Sequence, residues 1–423
     1  MKKIIQLFKI KDLRHKIVMV LVWLVTFRAL AAIPIPGIDS ERLQNFFSGN
    51  QLFGFLSLFS GGALNNLSIM MLGVAPYITA SIIMQLLTMI FPKMKAMYNE
   101  DGAAGRAKFN RYSRYITIPL AALQAYGFLN LLQSQGVLGD LNLTGILVNV
   151  IVITTGSVIL MWIGELISEY KIGNGISLLI FAGIVSSIPG AVRQAFLTYD
   201  PSLAPTYIAF LILSIVIIAG VVFVNQGERK IPIAYSKRIR GNRMYGGSTS
   251  YLPLRVNQAG VIPIIFAISI LLFPQFFAQM IAIFSQDFSL RLNELVSRFL
   301  NNQGVYSALY FSLVVVFTYF YTAITFDPKE IAKNLQQSGG FIPGIRPGEA
   351  TGEFLGKLTK KITLFGALFL GLVAILPNIT QLITGVQILT IGGTALLIVV
   401  AVALEIMKQI DSQLTLREYE GFE

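Results

Sequence analysis

Cysteine is absent from the 423 residues, so disulfides, thiolate nucleophiles and Cys-ligated metals are excluded. Histidine occurs once, as His15 in a basic N-terminal segment, which removes His-ligated metal sites and Ser–His dyads. Charge is scarce: 13% of residues are Asp, Glu, Lys or Arg, against roughly 25% in an ordinary soluble domain. So few charges cannot cover a water-facing surface. No phosphate-cradling GxxxxGK[ST] loop occurs, and the nearest string, Gly352 to Lys357, has the wrong spacing. The chain therefore has no visible nucleotide site, no cofactor and no metal are expected, and no enzymatic activity is read from it. Energy input is expected from a partner or a gradient.

What is abundant is apolar sequence, at 54% of residues. A membrane span needs about 20 predominantly apolar residues. Ten candidate runs occur: 17–36, 69–91, 115–132, 145–168, 173–190, 206–224, 256–281, 304–326, 362–382 and 387–408. The first ends at Pro34–Ile35–Pro36 without a small-residue cleavage site and reads as a span, not a signal peptide. With ten spans both termini share one side. The segments on that side hold 28 of the 33 Lys and Arg, and the other side holds four: Arg42, Arg193, Arg291 and Arg298. Lys and Arg accumulate in cytoplasmic loops, so both termini and the basic loops 225–255 and 327–361 are expected in the cytoplasm.

Two regions break the pattern. Residues 53–67, FGFLSLFSGGALNNL, are apolar but short, and Gly61–Gly62 weakens any helix there. The stretch reads either as re-entrant, buried in protein or lining an aqueous cavity, or as a helix resting on the bilayer surface. In the 225–255 loop, Ile231, Ile233 and Tyr235 alternate with smaller or charged residues, which predicts a hairpin strand. In the 327–361 loop, Pro343–Gly344 and Pro347–Gly348 bracket Ile345–Arg346 as a stiffened loop tip. Basic, ordered protrusions suit docking. Topology alone explains the charge but not the paired Pro–Gly brackets.

Ionisable residues inside spans are suspects for function. Arg28 sits mid-span in the first run and is expected to face a partner or water. Glu165, Glu169 and Glu405 fall near cytoplasmic ends. Midplane carboxylates of an ion-coupled carrier are not seen, which weighs against a secondary transporter of a small solute, the alternative reading. An intramembrane enzyme ranks third. The interior-looking runs are instead rich in isoleucine, as in PYITASI (76–82) and LIFAGI (179–184). Each Ile is by itself ordinary packed or lipid-facing surface. A pore lined by aliphatic rings would gate by dewetting and bar ions without charged filters.

At these motifs the sequence resembles the SecY family of bacterial protein-conducting channels over nearly its whole length. The resemblance runs through IPIPGID (33–39), FSGGAL (59–64), GVAPYITASIIMQLL (73–87) and KIGNGISLLIFAGIV (171–185). It continues through LPLRVNQAGVIPIIFA (252–267), SGGFIPGIRPGE (338–349) and GGTALLIV (392–399). It implies an all-α polytopic membrane protein with about ten transmembrane helices in two pseudo-symmetric five-helix halves and a re-entrant plug helix. The halves would be 1–190, with a plug at about 58–67, and 206–408, followed by a cytoplasmic tail, 409–423. The implied function is conduction of secretory proteins across the bacterial plasma membrane and lateral release of membrane-protein helices into it. Carried over residue by residue, the pore ring falls on Ile78, Ile82, Ile180, Ile184, Ile265 and Ile398. The plug falls on Phe59, Ser60, Gly61, Gly62, Ala63 and Leu64. The second and seventh spans would form a lateral gate. Loops 225–255 and 327–361, with Arg240, Arg243 and Arg346, would dock the SecA motor ATPase or the ribosome. SecE and SecG are the implied small membrane subunits, and unfolded precursors with signal sequences the implied substrates.

Overall fold

The computed structural model describes residues 10–35, 60, 63–64, 67–134, 138, 142–197, 201, 204–235, 238–240, 243–245, 249–281, 286–384 and 392–420. The first half of the chain holds α1 (Lys11–Ala31), α2 (Ala75–Ile90), α3 (Pro92–Asn99), α4 (Gly102–Ser134), α5 (Leu143–Glu169) and α6 (Gly175–Leu197). Then come α7 (Ala204–Gln226), β1 (Glu228–Tyr235), β2 (Arg238–Arg240), β3 (Arg243–Tyr245), β4 (Thr249–Arg255), α8 (Ile262–Ile281) and α9 (Gln286–Asn301). The last elements are α10 (Gln303–Thr325), α11 (Pro328–Gln337), β5 (Gly340–Phe341), α12 (Glu349–Thr384) and α13 (Gly392–Glu420).

Each of the ten apolar runs overlaps a helix: α1, α2, α4 to α8, α10, α12 and α13. Among the described residues, four stretches are long and apolar enough to cross a membrane outright: Leu143–Glu169, Ala204–Gln226, Gln303–Gln337 and Glu349–Thr380. The bent pair α2 and α3 makes a fifth if counted as one span. Gly175–Gly190 and Ile262–Leu271 are shorter apolar helices. The chain is a polytopic α-helical membrane protein.

The helix ends differ from the apolar runs in instructive ways. The first helix lies toward the N-terminus of its run, at 11–31 instead of 17–36, because Pro34 and Pro36 stop it while the charged residues before Ile17 are good helix formers. Arg28 is therefore in the last turn of α1, not mid-span, where a cation suits the helix dipole. The second run begins helical only at Ala75. Residues 69–74 are turns, with Gly73 at φ 58, and Pro76 sits in the first turn of α2, where its missing N–H costs nothing. At Phe91 the chain bends by 112° into α3, whose first residue is Pro92. The basic segment 92–114 is thus helical, not a loop. At about 1.5 Å per residue, the 33-residue α4 and 36-residue α12 are each roughly 50 Å long. Both exceed the hydrocarbon core, about 30 Å thick, so their polar first turns, carrying Arg106 to Arg114 and Lys357 to Lys361, stand outside it.

The residues form two compact units. One comprises Met1–Pro205, Ser269–Asn302 and Val402–Glu423, the other Thr206–Ile268 and Gln303–Ala401. In the first, α4 packs against α2, α3 and α5, and α1 and α6 lie against α5. Its core joins Phe128, Leu129 and Leu132 of α4 and Ile153 of α5 to Ile35, Leu64, Leu67, Met71 and Leu72. In the second, α12 packs along α10 and α11, and the strands form the sheet β4–β1–β5 beside a separate β2–β3 pair.

Candidate functional site

Two irregular regions carry the functional expectations, and each lies within one unit. The first is a platform in the second unit, made from both basic loops. β1 and β4 pair antiparallel with Ile231 opposite Leu252, as the alternation at Ile231, Ile233 and Tyr235 predicts. Ile231 and Ile233 are buried and Pro232 between them is exposed. Pro232 is tolerated because β5 pairs only with Ala234 and Tyr235, leaving the β5 side of β1 open at that point. The two-residue β5, which the sequence does not announce, is what joins loop 327–361 to loop 225–255. Beneath the sheet Ile231, Leu254, Ile342 and Leu355 form a buried cluster, extended by Leu252, Phe326, Ile331, Ile345 and Leu358. Each fully buried aliphatic here is worth roughly 1.5–3 kcal/mol relative to exposure.

The tip is built residue by residue on this cluster. Asp327 caps α11 by accepting hydrogen bonds from the Lys329 and Glu330 amides at 3.0 and 3.4 Å. After α11 the chain turns through Gly339 at φ 74 and enters β5. The Ile345 amide donates to the Ile342 carbonyl at 3.0 Å, closing a turn with Pro343 and Gly344 at its centre. Gly344 has φ 84, the left-handed value that the third residue of a type II turn requires. Ile342 and Ile345 point into the cluster, and Arg346 is exposed. The Thr351 hydroxyl, buried in the first turns of α12, donates to the Arg346 carbonyl at 2.8 Å. The backbone of Arg346 is therefore held from both sides while its guanidinium faces water, with no ion pair among the described residues. Arg240 and Arg243 are partners in the antiparallel β2–β3 register. The sheet is clamped to the membrane helices. The Asn257 side-chain amide donates to Asn225 Oδ1 at 2.7 Å and to the Gly260 carbonyl at 3.1 Å, tying the end of α7 to the start of α8. Sequence reasoning missed Asn257 and Thr351, because a lone amide or hydroxyl carries no spacing signal.

The second region is the stretch before α2 in the first unit. Ser60, Ala63, Leu64 and 67–74 are in turns and almost wholly buried. The Leu64 amide donates to Ser60 Oγ at 3.0 Å and the Ser68 amide to the Ala63 carbonyl at 2.9 Å. Ile35 and Ile69 pair with Leu67 and Ile33 around the Pro34–Ser68 bridge. The helix α5 covers this backbone closely: a side chain at Gly156 would run into the Ile69 carbonyl. Of residues 53–67, Ser60, Ala63, Leu64 and Leu67 are described and buried in protein; the others, with Phe59, Gly61 and Gly62 among them, lie outside the described residues.

The predicted ring residues are all buried. Ile78 and Ile82 are one turn apart on α2, and Ile180 and Ile184 one turn apart on α6, all in the first unit. Ile265 on α8 and Ile398 on α13 are buried in the second. The carboxylate suspect Glu165 of α5 is held by Arg114 of α4 at 2.7 Å, a structural pair between helices. Among the described residues no cluster of His, Asp and Glu could hold a metal.

Comparison with known proteins agrees with this architecture. The chain is 43% identical over 431 residues to the protein translocase subunit SecY of Mycobacterium leprae, covering 97% of each chain. It is 43% identical to that of Streptomyces galbus, covering 98% of each, and 43% identical to that of Corynebacterium glutamicum, covering 100% of this chain and 99% of the relative. A solved protein-conducting channel shares its fold with a TM-score of 0.65 at 21% identity, over 92% of this chain and 90% of that one. Sec61 in the canine ribosome–channel complex does so at 0.62 and 20% identity, over the same shares. The SecY family profile itself matches residues 68–407, from the bridge at Ser68 to the last membrane helix, and the chain belongs to the SecY family.

Proposed function

We propose that this chain is the channel subunit that conducts unfolded secretory proteins across the bacterial plasma membrane and releases apolar helices sideways into the bilayer. The observation that carries this reading is the identity of 43% to protein translocase subunits along almost the entire length of both chains. It replaces the small-solute transporter. Ile78, Ile82, Ile180, Ile184, Ile265 and Ile398 form the constriction in this reading, and their burial and lack of charge support it. An aliphatic ring fits around a chain of any sequence without binding it tightly, and dewets when empty. The segment from Phe59 to Leu64, within 58–67, closes the external side. The helices α2 and α8 form the lateral gate, where about 0.3–0.6 kcal/mol per large apolar residue biases a ten-residue apolar segment toward lipid by roughly 3–6 kcal/mol. The two five-helix halves are 1–190 and 206–408.

The platform is the docking surface for a cytosolic motor ATPase or a ribosome, SecA being the motor, with SecE and SecG as membrane subunits and both termini cytoplasmic. Its support is the preset tip. A rigid bracket lowers the entropy cost of docking, and an exposed guanidinium forms bidentate pairs with carboxylates that lysine cannot. Arg240 and Arg243 contribute more by steering than by fixed contacts. The test is precursor translocation and precursor-stimulated motor ATPase on the reconstituted channel. Arg346→Glu is expected to abolish stimulation with the resting seal intact, and Arg346→Lys to reduce it partly. Wild-type stimulation with Arg346→Glu removes the docking role.

A further inference from the structure

Helix α9 is unlike every membrane helix around it. Its 16 residues, QDFSLRLNELVSRFLN, are polar on average, yet Phe288, Leu292, Leu295 and Phe299 recur at spacings of four, three and four. That spacing places all four on one face. Phe288, Leu295 and Phe299 are 53%, 54% and 61% exposed, and Leu292 is half-buried. One flank of the stripe carries Glu294 and Arg298, joined at 2.8 Å, both exposed. Chain connectivity fixes where this stripe sits. Asn302 alone separates α9 from the membrane helix α10, and only 282–285 separate it from α8, whose end exposes the stacked pair Phe273 and Phe277. A helix tethered so tightly at both ends stays within a few residues of the bilayer surface. The 16 residues cover about 24 Å, long enough to lie flat across several lipid headgroups.

We propose that α9 is an in-plane interfacial helix, seated by Phe288, Leu292, Leu295 and Phe299 in the outer leaflet of the membrane. Apolar insertion seats it, not charge. Asp287 and Glu294 balance Arg291 and Arg298, so the helix carries no net charge and discriminates little between zwitterionic and anionic lipid. The two arginines are half of the four basic residues on that side of the chain, and they follow the edge of the stripe, where long side chains reach the headgroups. The choice of leaflet rests on the topology proposed above; the seating does not.

The absence of native cysteine makes the test direct. Single cysteines at Leu295 and Phe299, and at Glu294 as the polar-flank control, are labelled with an environment-sensitive fluorophore on the full chain in phosphatidylcholine proteoliposomes. Labels at 295 and 299 are expected to be quenched several-fold more than the label at 294 by a lipid nitroxide placed near the headgroup. Aqueous iodide is expected to reverse the order, and exchanging a third of the lipid for phosphatidylglycerol to change neither. Iodide quenching at 295 and 299 equal to that at 294 overturns the proposal. Shielding of 295 and 299 from both quenchers also overturns it, because the stripe then faces protein. Reaction of the Glu294→Cys thiol in intact cells with an impermeant reagent reports the side separately. Lipid quenching of the stripe without that reaction keeps the seating and refutes the topology.

Discussion

The platform and the buried stretch before α2 are both irregular segments between helices, and they solve opposite problems. The platform stands in water, which can satisfy any backbone group it leaves open. Its strands pair in the β4–β1–β5 sheet, and an apolar cluster with two Pro–Gly turns leaves Arg346 exposed. The stretch around Ser60 to Val74 lies inside the first unit, where an unpaired amide costs several kcal/mol. Described amides turn inward, to Ser60, Ala63 and Ser68, and all its described side chains but Ile69 are buried.

The sharpest way to break that contrast is to deny the buried stretch its space. Gly156→Leu drives a branched side chain into the Ile69 carbonyl. Overpacking of this kind costs about 3 kcal/mol. The variant is expected to accumulate poorly and to unfold well below the wild type in detergent. A tight, thermally unchanged Gly156→Leu channel would show that α5 does not hold the stretch. Next comes closure itself. Deleting 60–65, or changing Ile78 and Ile184 to Asn, is expected to raise resting ion conductance in planar bilayers several-fold and to relax the need for a strong signal sequence, since polar rings stay wet. Unchanged conductance in the combined variant would remove these residues from the seal.

The platform side is expected to respond more gently. Gly344→Ala places a Cβ at φ 84, a conformation costing about 1–2 kcal/mol for an L-residue. Water around the tip lets it shift instead of unfold, so motor stimulation is expected to fall while thermal stability barely moves. Equal losses in both would mean that the tip is part of the folding core. The smallest effect belongs to Thr351→Val, which removes the 2.8 Å bond to the Arg346 carbonyl. A single such bond is worth about 1 kcal/mol. Half-maximal motor concentration is expected to rise a few-fold with the seal unchanged. A leak in this variant would contradict the separation of the two regions.

Much of this was legible before any coordinates. Each of the ten apolar runs overlaps a helix, and the alternation in 225–255 became β1, because periodicity and charge bias are local signals set by the bilayer and the pleat. The paired Pro–Gly brackets foretold a stiff tip, since proline and glycine fix their own dihedrals. The run ends were less legible. Helices α4 and α12 continue through their charged first turns, because Lys, Arg and Glu are good helix formers even where they cannot be membrane-spanning.

By itself the sequence determined the class of the protein, its helices, its charge asymmetry and its family resemblance, all of which depend on residues near one another in the chain. Only the tertiary structure decided that β5 stitches the two basic loops into one sheet, that Thr351 grips the carbonyl of Arg346, and that Asn257 ties α7 to α8. It also decided that Ser60, Ala63, Leu64 and residues 67–74 pack into the core of the first unit. These are contacts between residues distant in sequence or choices between two environments, and no local pattern encodes which partner a lone hydroxyl, amide or apolar turn will meet.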